Sequence, residues 1–118
     1  MSEHPLNNTA SLRIWQQNLN TSHSAQASLL NNPNIADWDL ITIQEPYLNS
    51  YRNTTANHHW SVYYPTQHLS HNHQRSRAVT LVKTSLNTNN CRQLPFPSSD
   101  VVVVQLSGPY GRCTIFNI

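Results

Sequence analysis

The stretch from Asp100 to Ile118, "DVVVVQLSGPYGRCTIFNI", limits the fold more than any other part of the chain. A run of consecutive valines and the alternating segment from Arg112 to Ile118 are rich in the residues that suit a pleated, half-buried surface. Between them stands "SGPYG", built from turn-forming glycine and proline. The whole reads as a β-hairpin with a turn of about five residues. An isolated hairpin is marginal in water, so further strands are needed around it.

Upstream segments supply them. Leu12 to Leu19 read as a first strand, followed by "TSHSAQASLLNNP". There Thr21 and Ser22 are placed to cap a short helix with Ala25, Leu29 and Leu30 on its apolar face, and Pro33 falls after its end. "DLITIQ", Asp39 to Gln44, is a compact apolar run suited to a buried strand, stopped by Pro46, which has no N–H to donate. "WSVYYP" and "RAVTLVK" read as two more strands, the first with Trp60, Val62 and Tyr64 toward the core. Residues 49–59 and "NTNNCRQLPFPSS" read as loops, the latter because Pro95 and Pro97 exclude regular structure. Residues 1–11 are polar and read as a disordered tail. Strand, helix, strand and then several strands fit one α+β (α/β-layered) domain over residues 12–118.

Length permits a single small domain with a real core. The apolar share is 37% and the charged share 10%, against a usual ~45–50% and ~25%. Asn, Ser, Thr and Gln supply the polarity instead. Glycine occurs only 2 times, few for a domain with several tight turns, and the chain stops on Ile118 within an apolar alternating run. The expectation is that part of a core lies outside the sequence. A net charge of +2 from scattered basic residues makes no concentrated field for nucleic acid. Cys91 and Cys113 stand alone and read as reduced thiols rather than a disulfide framework or zinc ribbon. No apolar segment opens the chain like a secretory signal, and none reaches the ~18 residues of a membrane span. A soluble, intracellular protein is expected.

The chemistry is suggested by "LRIWQQNLN", Leu12 to Asn20, a strand that begins apolar and ends in amides. Period two puts Leu12, Ile14, Gln16, Asn18 and Asn20 on one face. Glu45 directly follows the apolar run Leu40 to Gln44. If these two strands are parallel neighbours joined by the helix, their C-terminal ends meet, where such sheets tend to bind ligands. Asn18 and Glu45 would then face one pocket and offer hard oxygen ligands suited to Mg²⁺. The plainer alternative is that Asn20 caps the next turn and Glu45 is a solvated loop residue.

"LRIWQQNLN", the short helix and "DWDLITIQEPYL" together resemble the opening of the endonuclease/exonuclease/phosphatase superfamily. The "IQEP" form looks most like the endonuclease domain of fungal non-long-terminal-repeat retrotransposons. "WSVYYPT", "RSRAVTLVKTSL" and "CTIFNI" resemble later parts, so the likeness spans roughly residues 12–118. The resemblance implies a partial β-sandwich of that type, truncated after its N-terminal half. It further implies that Asn18 helps hold the scissile phosphate and nucleophile, and that Glu45 is a metal ligand. Asn20 matches a polar position that touches the metal through water. Implied too are Mg²⁺ (with Mn²⁺ as the alternative), DNA as the partner of the full-length parent, and a nuclear location if it belongs to an active retrotransposon.

The family's later motifs, a Tyr, an Asp-x-Asn pair, an Asp and a Ser-Asp-His, have no counterpart in these residues. The expectation is therefore an endonuclease part that is inactive by itself. The competing reading is a small α+β module that binds nucleic acid or another partner without catalysis. Arg75, Arg77 and Lys83 flank "AVTLV" and could reach DNA phosphates, or simply be solvated charges. His58, His59, His68, His71 and His73 crowd one region, yet their spacings match no closed zinc pattern. Stacking on bases is open to Trp60, Tyr63 and Tyr64, although alternation turns Trp60, Val62 and Tyr64 toward the core. Strands left partly uncovered are expected to drive oligomerisation or aggregation.

Overall fold

In the computed structural model, residues 12–66, 76–86 and 90–118 are described. The elements run β1 (Ile14–Asn18), α1 (His23–Leu30), a 3-10 turn (Ile35–Asp37), β2 (Leu40–Gln44), β3 (Trp60–Tyr63), β4 (Ala78–Lys83), β5 (Cys91–Leu94), β6 (Val102–Gly108) and β7 (Gly111–Asn117). Among the described residues they form a four-stranded sheet in the order β1-β2-β4-β3 and a three-stranded sheet in the order β5-β6-β7. β1 and β2 are parallel, while β4 runs antiparallel to β2 and β3.

The central strands explain the layering. β2 and β4 alternate their side chains between two cores, which is why both read as apolar runs rather than as half-polar strands. Ile41, Ile43, Val79 and Leu81, with Trp60, pack beneath Leu29 and Leu30 of α1 and Ile35. On the opposite face Leu40, Ala78 and Val82 meet Val102, Val104 and Leu106 of the second sheet. The result is a helix layer on a two-sheet sandwich, a mixed α+β fold as the sequence suggests. No helix among the described residues is long and apolar enough to cross a membrane.

Helix α1 begins where expected. Ser22 has an extended backbone, and its hydroxyl accepts from the Ala25 N–H at 3.1 Å, satisfying one orphan donor of the first turn. Its buried side holds Gln26 beside Leu29 and Leu30.

Four expectations need correction. The "CRQL" segment, taken for loop, is strand β5, pairing antiparallel with β6 from Cys91↔Leu106 to Leu94↔Val103. As an edge strand it needs only one ladder, and Pro95 ends it without blocking it. The hairpin turn is tighter than five residues, since Gly108 pairs with Gly111 across Pro109 and Tyr110. Proline cannot take the positive φ of a primed turn, and Gly111 supplies the left-handed residue at φ +92° instead. The resemblance also implies that the chain supplies mainly one of two packed sheets; it contributes to both, and β6 is buried between its neighbours. Finally, Trp15 and Leu19 of the first segment face the helix-side core, whereas Ile14 is 38% exposed. Ile14 lies opposite Leu40 on the inter-sheet face, but β1 is an edge strand that the three-stranded sheet does not cover.

Both cysteines are unpaired. Each lies opposite Leu106, from β5 and from β7. Two strand spacings of ~4.8 Å separate them, beyond the ~7 Å limit for a disulfide.

Candidate functional site

Parallel pairing carries Asn18 opposite Gln44 at the C-terminal ends of β1 and β2. The Leu19 N–H donates to Gln44 O at 3.0 Å, closing the ladder there. Glu45 then leaves the strand with φ +51°, in the left-handed region. That conformation costs a side-chain-bearing residue roughly 1–2 kcal/mol. Two backbone bonds hold it: the Glu45 N–H donates to Arg77 O at 2.8 Å, and Glu45 O accepts from the Thr21 N–H at 2.8 Å. Asn20 and Thr21, at φ +50° and +58°, bend the chain so that Thr21 reaches that carbonyl. Strain of this kind clusters at functional sites because the surroundings must over-determine it.

The Asn18 amide is committed at both ends. Oδ1 accepts from the Asn20 N–H at 2.8 Å, and Nδ2 donates to Glu45 Oε2 at 3.4 Å. Asn18 is thereby set to act as a donor, while its oxygen is occupied by the turn. Glu45 faces two adjoining clefts. One, of ≈ 470 Å³, is lined by residues that include Thr21, Pro46, Ser76, Arg77 and Asp100. The other, of ≈ 260 Å³, is lined by Asn18, Gln44, Glu45, Arg77, Asp100 and Ile118. Two carboxylates, an amide donor and a guanidinium thus converge at one end of the sandwich. Such a set can hold a hard cation through oxygen and an anionic group through nitrogen. Among the described residues no group of three His, Cys, Asp or Glu side chains is gathered tightly enough to cage a metal. Among the described residues no histidine lines either cleft.

The remaining candidates fall elsewhere. Asn20 shapes the turn through its backbone and is absent from the lining of both clefts. Lys83 stands at the far end of β4 from Arg77, roughly 20 Å along the strand, and its ammonium donates to Ala36 O. It does not join the Asn18–Glu45 end. The His58 and His59 rings lie 4.0 Å apart on the surface. Arg75, His68, His71, His73 and the tail 1–11 lie outside the described residues. Trp60 is buried with Val62 and Tyr64 packed nearby, as the alternation implies. Tyr63 points to the other core, where the Cys91 thiol meets its hydroxyl at 3.5 Å. That partner, together with burial, pushes the Tyr63 phenol up to about 12.

Two residues of this end escaped sequence reading. Asp100 looks like the start of the valine strand; only its position before a buried run, antiparallel to β5, could have marked it as a strand-end group. Asn117 looks like one more residue of a hairpin strand, but it is buried, and its amide bonds Gln44, Ile43, Val79 and Thr80. A lone amide inside an apolar alternation was its one signal.

No protein-family model matches the sequence, and a search of curated proteins finds no match. Among solved structures the chain is similar to the "Endonuclease domain of TRAS1, a telomere-specific non-LTR retrotransposon", with a TM-score of 0.65 and 20% identity. The match covers 91% of this chain and 43% of that one, so this chain spans less than half of that structure's length. At that identity the likeness is one of fold: this chain shares the architecture of the matched part of that structure.

Proposed function

We propose that this chain carries one part of a Mg²⁺-dependent phosphodiester-cleaving site of the endonuclease type, of retrotransposon origin and acting on DNA. The observation that carries the reading is the Asn18 Nδ2 to Glu45 Oε2 contact at the ends of two parallel strands, with Glu45 held in a left-handed backbone. The fold likeness supports it.

The donor set fits a hard divalent cation. Glu45 supplies a carboxylate whose Oε2 accepts from the Asn18 amide, and Asp100 supplies a second carboxylate on the same cleft. Glu45 and Asp100 would hold Mg²⁺, or Mn²⁺, which when bound neutralises phosphoryl charge as a Lewis acid. Asn18 donates its second amide hydrogen to a phosphate oxygen, since the first meets Glu45 and its own oxygen is taken by Asn20. Arg77 adds a cation at the cleft wall for the phosphate backbone.

What the described residues of this end lack is a group to prepare water. General-base chemistry contributes ~10²–10⁴-fold and needs a base within reach of the nucleophile. Among the described residues no histidine lines the clefts, and both carboxylates there are assigned to the cation. The 118 residues alone are therefore expected to bind the ion and not to cut. A supercoiled-plasmid nicking assay in Mg²⁺ or Mn²⁺, with the parent, Asn18→Ala and Glu45→Ala, tests this. Nicking by the parent that vanishes in both variants would show that this part is self-sufficient. The second reading, a non-catalytic nucleic-acid module, is favoured by the same missing base. DNA binding that is unchanged in Glu45→Ala and independent of divalent ions would establish it instead.

A further inference from the structure

We infer that Asn117 is the residue that positions the Asn18–Glu45 pair, acting through Gln44. This rests on the reading of that pair as the ion and phosphate site. Asn117 is 2% exposed, at the end of β7 between the two sheets. Its Oδ1 accepts from Gln44 Nε2 at 2.6 Å. Its Nδ2 donates to Val79 O at 2.7 Å, Ile43 O at 3.2 Å and Thr80 Oγ1 at 3.3 Å, two hydrogens shared among three acceptors. Ile43 and Val79 are register partners, so one side chain from the second sheet ties together the two central strands of the first. It does so at the two residues immediately before Glu45.

A buried amide in an inter-sheet core is costly unless fully satisfied, and an apolar side chain would pack there at less cost. Its worth lies in fixing one arrangement of its partners. Glu45 needs that, because a left-handed residue after a strand relaxes unless the strand end is held. Gln44 is the strand end: its backbone pairs with Asn18, and it lines the same cleft as Asn18 and Glu45. Groups behind a metal ligand commonly matter roughly 10–100-fold for ion affinity.

The test compares Asn117→Leu, Gln44→Leu, their double variant and Val104→Ala, which weakens the same core without bonding to β2. Two signals are read by NMR in each folded protein: the Asn18 side-chain amide, and Mn²⁺-induced broadening around Glu45. The expected result is that both Asn117→Leu and Gln44→Leu displace the Asn18 signal and weaken Mn²⁺ roughly 10-fold or more. The double variant should lose no more than either single one, since the two act in series. Val104→Ala should leave both signals in place. Where Asn117→Leu does not fold, Asn117→Ser carries the same comparison. An Asn18 signal unmoved by the Asn117 variants, or moved as far by Val104→Ala, overturns the inference. Broadening that is equal in the parent and Glu45→Gln removes the ion site itself, and the Asn18 signal still decides the role of Asn117.

Discussion

Gln26 is the most committed side chain on α1, though nothing in an amphipathic pattern would put a glutamine there. At 1% exposed, it accepts from the Tyr47 N–H at 2.9 Å and donates to Thr54 Oγ1 at 2.5 Å and Thr55 O at 2.7 Å. It fastens the loop after Glu45 to the helix, in place of a helical leucine. Gln26→Leu keeps the volume and orphans these groups, each worth ~1–3 kcal/mol when buried and unpaired. The expected loss is about 2–4 kcal/mol in urea unfolding, and a neutral result would mean the loop finds other partners. A second residue-scale expectation concerns Tyr63. Its hydrogen bond with Cys91 first and burial second raise the phenol from 10.0 to about 12. A group whose folded pKa is raised stabilises the fold fully below its unfolded value and loses that contribution as pH climbs through the folded one. Here stability should fall between pH 10 and 12. Titration at 295 nm should show this late phenol, and Cys91→Ala should bring it back toward its ordinary value. Tyr110 is raised as well, mainly by burial, so it should also ionise late in both proteins.

Among the elements, the hairpin shows how far local chemistry reaches. Gly111 takes φ +92° with nothing within 4 Å of where a Cβ would stand, so substitution there tests backbone strain free of any clash. Gly111→Ala is expected to cost roughly 1–2 kcal/mol, measurable as a lowered urea midpoint at unchanged m-value. At Gly108, which has no positive φ, the same change would instead drive a Cβ to 2.9 Å from the Tyr110 ring. Strand β5 behaves differently. "CRQL" has no strong β pattern of its own and is followed at once by Pro95; the valines of β6 draw it into a ladder. Its assignment therefore depended on a neighbour at a distance in sequence, which a local reading cannot supply.

At the scale of the whole molecule, the sandwich leaves an unbalanced rim. β1 and β7 are edge strands, Ile14 is 38% exposed on the face turned toward the other sheet, and Phe116 on β7 is 55% exposed. Open edges with apolar side chains pair with other chains. Sedimentation should show mass rising with concentration, and Phe116→Lys should suppress it by placing a charge on the edge. A strict monomer over the whole range would show that these edges are already blunted. The cation at the cleft should bind weakly, in the millimolar range or above, because two carboxylates leave Mg²⁺ largely hydrated. Calorimetric titration of the parent against Glu45→Ala checks this, and equal heats in both would remove Glu45 from the site.

Much of this was legible in the chain itself. The apolar runs of β2 and β4, the capping serine before α1, the glycine–proline hairpin and the Asn18 and Glu45 positions at strand ends are all set by local pattern and turn chemistry. These depend on period, propensity and the missing proline N–H, which act within a few residues. Tertiary structure alone decided which face of β1 is covered, that "CRQL" is a strand, and that Lys83 and Arg77 occupy opposite ends. It also decided that Asp100 meets Glu45 at one cleft and that Asn117 anchors Gln44 from the other sheet. The physical reason is the same in each case. Alternation tells a strand that it has two sides, but which layer covers each side, and which polar group finds its partner there, is settled only when distant segments pack.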